Sequence, residues 1–196
     1  MCSSDLGFAG VYTAKRLLAR AARLHRAGHN LEVHLVNREN YMVFQPMLAE
    51  VISGSVGILD TVSPLRRLIP GAILHMRDVE EVDLKNKTVT LSPGFKPRAT
   101  VLPFDHLVLA LGNVTDFRGT PGLPEHALPF KTLGDAISLR NHVLRVLDEA
   151  DGETDPELRQ QLLTFVVGGG GFSGVEVMAE MHDFVLRIIQ IGRAHV

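Results

Sequence analysis

The chain has 196 residues, 45% of them hydrophobic and 21% charged, with a formal net charge of −2. That is an ordinary globular composition, and its scattered Lys and Arg offer no basic field that would recruit nucleic acid. No apolar run approaches the roughly 20 residues that cross a bilayer as a helix, and no secretory signal opens the chain. The single cysteine, Cys2, excludes a disulfide framework and a cysteine-based zinc site, and points to a reducing, cytosolic setting.

Residues 7–27 read as a helix: small residues at Gly7, Ala9 and Gly10 precede Tyr12, Leu17, Leu18 and Leu24, with basic residues between them. Gly28 stops it. Leu31–Val36 reads as a strand, followed by the loop NRENYMVFQP and a short helix or turn in MLAEVISGSVG. Pro64–Leu68 suggests another short helix, broken at Pro70-Gly71, and Ala72–Met76 a strand. Glu80–Leu84 and Thr88–Leu91 flank Lys85-Asn86-Lys87 as a hairpin. Leu107–Leu111 reads as a buried strand ending at Gly112, and a Gly/Pro-rich loop then runs from Asn113 to Pro129. Asp135–Ala150 is an amphipathic helix with Ala136, Leu139, Val143, Val146 and Leu147 on one face. DGETDPE is a charged link, Gln161–Val167 a strand, and a helix starts at Phe172. Strands alternating with helices argue for an α/β fold with a mainly parallel sheet.

The two ends, MCSSDL and IGRAHV, do not fit their neighbours. Both read as translations of a common sequencing-adapter sequence, one from each strand; the alternative is a genuine short terminus at each end. On the adapter reading, residues 1–6 and 191–196 are not biological, Cys2 goes with them, and the rest is an internal piece of a longer protein.

The densest signal is VVGGGGFSGVE, residues 166–176. Gly169, Gly171 and Gly174 form Gly-x-Gly-x-x-Gly between an apolar run and a helix. The first glycine makes a tight turn, the second lets backbone approach a pyrophosphate, and the third lets the helix pack closely. The helix N-terminus adds free N–H groups and a positive dipole end. The acid that would separate NADH from NADPH falls beyond Val196, so either nucleotide fits. The echo Gly7-Phe8-Ala9-Gly10 repeats the second half of this motif, with Asp5 where its first glycine belongs. After the strand at 31–36, an acid is expected near Asn37 to hold a ribose; Asn37 is uncharged, and Glu39 is either a surface acid or its substitute.

The series GFAG, LVNRENYMVFQPMLAEVISGS, PLRRL, FDHLVLALG, GLPEHALPFKTLGDAISLRNHVL and TFVVGGGGFSGVE resembles a type II NADH dehydrogenase, a flavoprotein of the two-dinucleotide-fold superfamily. The resemblance covers residues 7–187 and implies a Rossmann-like α/β fold. It implies an FAD-binding domain over 7–150 without its first strand, a linker over 151–160 and the start of an NAD(P)H-binding domain over 161–190. By position, FAD falls to Gly7, Phe8, Ala9, Gly10, Asn37, Arg38, Gln45, Pro46, Val79, Ala110, Leu111 and Gly112, with Leu111 replacing a usual Thr. NADH falls to Gly169, Gly170, Gly171, Phe172, Ser173, Gly174 and Glu176. Glu176 matches a glutamate near the nicotinamide; the other reading is a first-turn helix acid favoured by the dipole.

The family's chemistry is hydride transfer from NADH to flavin N5, then electron transfer to a membrane quinone, with the enzyme peripheral on the inner face of the cell membrane through a C-terminal part. The cofactor carries that chemistry, so no general acid or nucleophile is named. Disulfide reductases of the superfamily need a cysteine pair in the segment matching Asn40–Gly57, which has none. A ferredoxin- or rubredoxin-type reductase and a non-catalytic nucleotide-binding protein are the alternatives. The histidines, among them His25, His29, His34, His75, His106, His126, His142 and His182, show no metal spacing, and no metal site is expected. Tyr41, Phe44 and Met47 are core or pocket residues, and Arg66-Arg67 a solvated helix face. Residues 7–190 by themselves are expected to bind FAD weakly or not at all, to show no dehydrogenase activity and to aggregate.

Overall fold

A computed structural model describes residues 7–28, 30–95 and 97–194. The readings placed on Cys2, Asp5 and His29, and on the hexapeptide Met1–Leu6, lie outside the described residues. The elements in chain order are α1 (Phe8–Arg26), β1 (His34–Asn37), β2 (Tyr41–Val43), a 3₁₀ turn (Gln45–Met47), α2 (Leu48–Ser53), a second 3₁₀ turn (Ile58–Asp60), β3 (Val62–Pro64), α3 (Leu65–Leu68), β4 (Ile73–Met76), β5 (Val79–Asp83), β6 (Thr88–Leu91), β7 (Thr100–Pro103), α4 (Leu123–His126), α5 (Leu133–Gly152), α6 (Pro156–Leu162) and α7 (Phe172–Ala194). They fall into two compact units, one of residues 1–43 and 62–114, the other of 44–61 and 115–196.

The first unit holds a small α/β layer. β1 and β4 pair in parallel, Leu35 opposite Leu74 and Asn37 opposite Met76. α1 covers them: Val11 and Ala14 join Val33, Leu35, Met42, Leu65 and Ile69 in one core, with Leu18 packed against it. Each fully buried aliphatic side chain there contributes about 1.5–3 kcal/mol by leaving water. The buried stripe is therefore Val11, Ala14 and Leu18, spaced by three and four residues. Tyr12 and Leu17, counted with Leu18 and Leu24 in reading this helix from the sequence, are 56% and 38% exposed. Helix α1 ends where Gly28 turns left-handed, at φ +82°. The hairpin β5–β6 forms as expected, its turn organised by Asp83, whose carboxylate accepts from the Lys85 and Asn86 amides at 2.9 Å. β7 adds a third antiparallel strand, and β2 pairs with β3 in a separate antiparallel ribbon.

The second unit is helical. Thr132 and Asp135 build a reciprocal capping box: Asp135 N donates to Thr132 Oγ1 at 3.1 Å, and Thr132 N to Asp135 Oδ2 at 2.7 Å. This starts α5 two residues before the sequence-expected Asp135. Its buried side is Ala136, Val143, Val146 and Ala150, with Leu139 and Leu147 half-buried beside it. The short α2 is buried along almost its whole length and packs on both α5 and α7.

Two expected strands do not form. Leu107–Leu111 carries no strand, and Val108 and Leu109 are 58% and 64% exposed. In place of a strand from Gln161, helix α6 occupies Pro156–Leu162, and Val166 beyond it is 87% exposed. The reason differs in the two places. At 107–111 the apolar, β-prone sequence has no described strand hydrogen-bonded beside it, and a ladder needs a partner. At 156–162 the Asp155-Pro156 pair starts a helix: Asp155 Oδ1 accepts from Glu157 N at 2.9 Å, and proline sits at the first turn. The sheet is accordingly not mainly parallel among the described residues; β1–β4 is its one parallel pair.

Candidate nucleotide-binding site

The glycine turn stands in the helical unit. Gly169 has φ +129°, a conformation that side chains other than glycine's rarely adopt. A Cβ on Gly174 would overlap the Gly169 carbonyl oxygen, so the third glycine is the contact through which helix and turn touch. A Cβ on Gly168, Gly170 or Gly171 would meet nothing within 4 Å. The turn is thus closed from behind and open in front, as the backbone must be to approach a pyrophosphate. α7 begins at Phe172 and continues to Ala194, and its first amides, without helical partners, face the same turn. Val167, Gly169, Gly174, Val175, Met178 and His182 border an open groove of about 540 Å³ beside it. The groove itself is lined mainly by apolar side chains; it is the glycine turn and the helix start that have the backbone geometry a dinucleotide phosphate needs.

Gly170, Gly171, Phe172 and Ser173 are exposed. Glu176 is exposed too and lies past the first turn of α7, which contains no acid; it is not the first-turn helix acid that the sequence alone allows.

In the α/β unit, Gly7 is the N-cap of α1, accepting from Val11 N at 3.2 Å. Phe8 and Ala9 are exposed and Gly10 is buried. Asn37 is the last residue of β1, and Arg38 follows it. Asn37 is 1% exposed, and its Nδ2 donates to Glu39 O at 2.9 Å. Arg77 N donates to Asn37 O at 3.1 Å, and Arg38 Nε pairs with Asp78 Oδ1 at 2.8 Å. The ends of β1 and β4 are thereby tied, which brings Asn37, Arg38 and half-buried Val79 to one corner. A polar side chain as buried as Asn37, with its amide already engaged, orders the backbone of its own loop. Ala110, Leu111 and Gly112 belong to the same unit, in a segment without regular structure; Gly112 has φ +67°.

Gln45 and Pro46 belong to the helical unit, exposed on the 3₁₀ turn that leads into α2. Phe44 and Met47 are 40% and 39% exposed, hence not core, and Tyr41 is half-buried. Sequence reasoning misses Arg140, whose Nη1 stands 3.4 and 3.5 Å from the carbonyls of Val51 and Ile52. Its signal is nevertheless there: a single arginine within the otherwise apolar side of α5. The imidazole pair His34–His75, in hydrogen-bond contact at 3.0 Å across β1 and β4, is missed as well. Burial, then the neighbouring charges of His34 and Arg77, hold His75 below the usual imidazole value.

Comparison with known proteins extends the reading. The chain is 32% identical over 201 residues to demethylphylloquinone reductase NdbB of Synechocystis, covering 98% of this chain and 46% of that protein. It is 32% identical over 187 residues to the type II NADH:quinone oxidoreductase NdhA of Mycobacterium tuberculosis, covering 93% of this chain and 37% of that one. Among solved structures, NDH2 of Plasmodium falciparum superposes with a TM-score of 0.77 at 24% identity, over 83% of this chain and 34% of that chain, and shows that the two share a fold. The chain therefore spans less than half the length of these relatives. The family model described as pyridine nucleotide-disulphide oxidoreductase matches residues 6–194, and with a match that runs nearly from end to end, this chain belongs to that family.

Proposed function

We propose that the protein is the nucleotide-binding part of an FAD-dependent oxidoreductase that takes hydride from NADH and delivers electrons to a quinone at a membrane surface. The observation that carries this is the turn at Gly169–Gly174, where a left-handed glycine and a glycine with no room for a Cβ leave an open backbone cradle at a helix N-terminus. The quinone reductases among the relatives support the acceptor. So does the segment Asn40–Gly57, which matches the redox-cysteine segment of the disulfide reductases and contains no cysteine.

In this reading Gly169, Gly170, Gly171, Phe172, Ser173 and Gly174 hold the pyrophosphate of NADH through backbone N–H groups and the α7 dipole, and Glu176 serves the nicotinamide end. Gly7–Gly10 hold the FAD pyrophosphate at the start of α1. Asn37, with Arg38 and Val79, forms the adenosine corner. Gln45 and Pro46 run along the isoalloxazine, and Ala110–Gly112 approach the pyrophosphate. Residues 7–150 then serve FAD, 161–190 open the NADH fold and 151–160 join them. When bound, the flavin supplies hydride acceptance and electron transfer to quinone; the chain's residues contribute placement and electrostatics. No described helix is long and apolar enough to cross a membrane, and we assign the protein a peripheral position.

The test is to load the full-length protein that carries this chain with FAD, add NADH without oxygen and follow the visible flavin absorbance. Bleaching by NADH and recovery of colour on adding a soluble quinone are expected. FAD binding with no bleaching, or bleaching that ferredoxin but not quinone reverses, overturns the proposal.

A further inference from the structure

We propose that Arg140 is a positioning residue that locks the C-terminal end of α2 onto α5 and α7. It thereby sets where the Gln45–Pro46 segment, which leads into α2, stands relative to the glycine turn, which leads into α7. The proposal rests on the assignment of those two segments to flavin and NADH.

α2 has six residues, of which Leu48, Ala49, Val51, Ile52 and Ser53 are buried. A helix that short is hardly more than a nucleus and does not persist without outside support. At its C-terminus Val51 O accepts from the capping Gly54 amide, at 3.3 Å, and that end carries the negative end of the dipole. Arg140 reaches across from α5 to that end, with Nη1 at 3.4 Å from Val51 O and 3.5 Å from Ile52 O. These are long contacts, weak one by one, so the guanidinium acts mainly as a counter-charge to the helix end. Gly54 makes room for it. This residue closes α2 with φ +72°, and a Cβ there would stand 2.5 Å from Arg140 Nη1. The guanidinium also lies over the Phe184 ring of α7, with 5.0 Å between its central carbon and the ring centroid. One side chain of α5 thus reaches two further helices, α2 and α7. A second clasp reinforces the α2–α7 side: Ser55 Oγ accepts from Arg187 Nη2 at 3.2 Å and stands 3.5 Å from Glu180 Oε2. Lysine could supply the charge but neither the planar fork nor the stacking surface.

The experiment is amide hydrogen exchange on the full-length protein that carries this chain, with Arg140→Met and Arg140→Lys, joined to the visible spectrum of its flavin-loaded form. In Arg140→Met the amides of Gly54 and Val56, which donate to Val51 O and Glu50 O, are expected to exchange about tenfold faster or more, as loss of a charged hydrogen-bond partner implies. Arg140→Lys falls between. The β5–β6 amides stay unchanged, and the flavin band shifts in Arg140→Met but not in Thr132→Ala, which weakens α5 without touching α2. Unchanged exchange over 48–56, acceleration spread evenly over the chain, or an unshifted flavin band in Arg140→Met overturns the proposal. Failure of the wild type to bind flavin, with the exchange pattern intact, overturns the functional reading and leaves the clamp standing.

Discussion

Helices α1 and α7 begin on nearly the same four residues, Gly7-Phe8-Ala9-Gly10 and Gly171-Phe172-Ser173-Gly174, yet they rest on different supports. α1 lays Val11, Ala14 and Leu18 against a core that includes the β1 residue Leu35 and its neighbour Val33. α7 packs on the short helix α2 and buries Val177, Met181 and Phe184. The second residue of each motif reflects this: Phe8 is 41% exposed and Phe172 91%. The shared glycines encode a turn and a helix start, both local events. What the helix lies on is decided by residues far along the chain.

The widest gap between the two supports opens at their cores. Leu65, 1% exposed beneath α1, is expected to cost about 3 kcal/mol when replaced by alanine, as is usual for a buried leucine. Urea unfolding followed by far-UV circular dichroism measures it; a loss near zero would mean that α1 is not held by this cluster. Next come the glycines themselves. Gly174→Ala forces a Cβ into the Gly169 carbonyl and should destabilise by about 2 kcal/mol through overpacking, weakening NADH binding at the same time. Gly7→Ala meets nothing within 4 Å at φ −87° and should cost less than about 1 kcal/mol as an N-cap change. Equal losses for the two, in parallel denaturation curves, would erase the distinction between a glycine required by packing and one that is not. Thr132→Ala removes the α5 cap and should cost about 1 kcal/mol, in the helical unit alone, visible as faster exchange in the first turn of α5.

The smallest expected effect is a pH dependence confined to the α/β unit. The folded chain holds His75 below its ordinary 6.5, so in that window the unfolded chain binds more protons. The associated stability is present above the ordinary value and is lost as pH falls through the folded one. His34, in hydrogen-bond contact, opposes a second charge on the pair, and Arg77 adds to it. The melting temperature should therefore rise between about pH 5 and about pH 7, where imidazoles titrate, and the rise should shrink in His75→Gln. A slope unaltered by that substitution would assign the dependence to other groups.

Much of the molecule is legible in its residues alone. The α1 region with its Gly28 stop, the 83–88 hairpin turn, the amphipathic α5 and the glycine turn ahead of α7 each follow from residues within a few positions of one another. Fewer of the site relationships are legible. Asn37 is visible as a departure from an expected acid, but not as a buried residue whose amide engages the Glu39 carbonyl. Nor is the Arg38–Asp78 pair, which ties two strand ends 40 residues apart. Arg140 cannot be read as a clamp because its partners lie 88 and 89 positions away. Leu107–Leu111 shows the converse: strand-forming composition does not make a strand where no partner completes the ladder.

The sequence by itself determined the punctuation of the chain: where glycine admits a turn, and where a local side-chain cap starts a helix, although the caps at Thr132 and Asp155 went unread. Those depend on φ/ψ preferences and on hydrogen bonds spanning three or four residues. Only the tertiary structure decided which apolar faces find cover, that β1 pairs with β4 and that α2 is held between α5 and α7. The reason is that a strand's ladder and a helix's buried stripe are completed by distant segments, and no local preference names the partner.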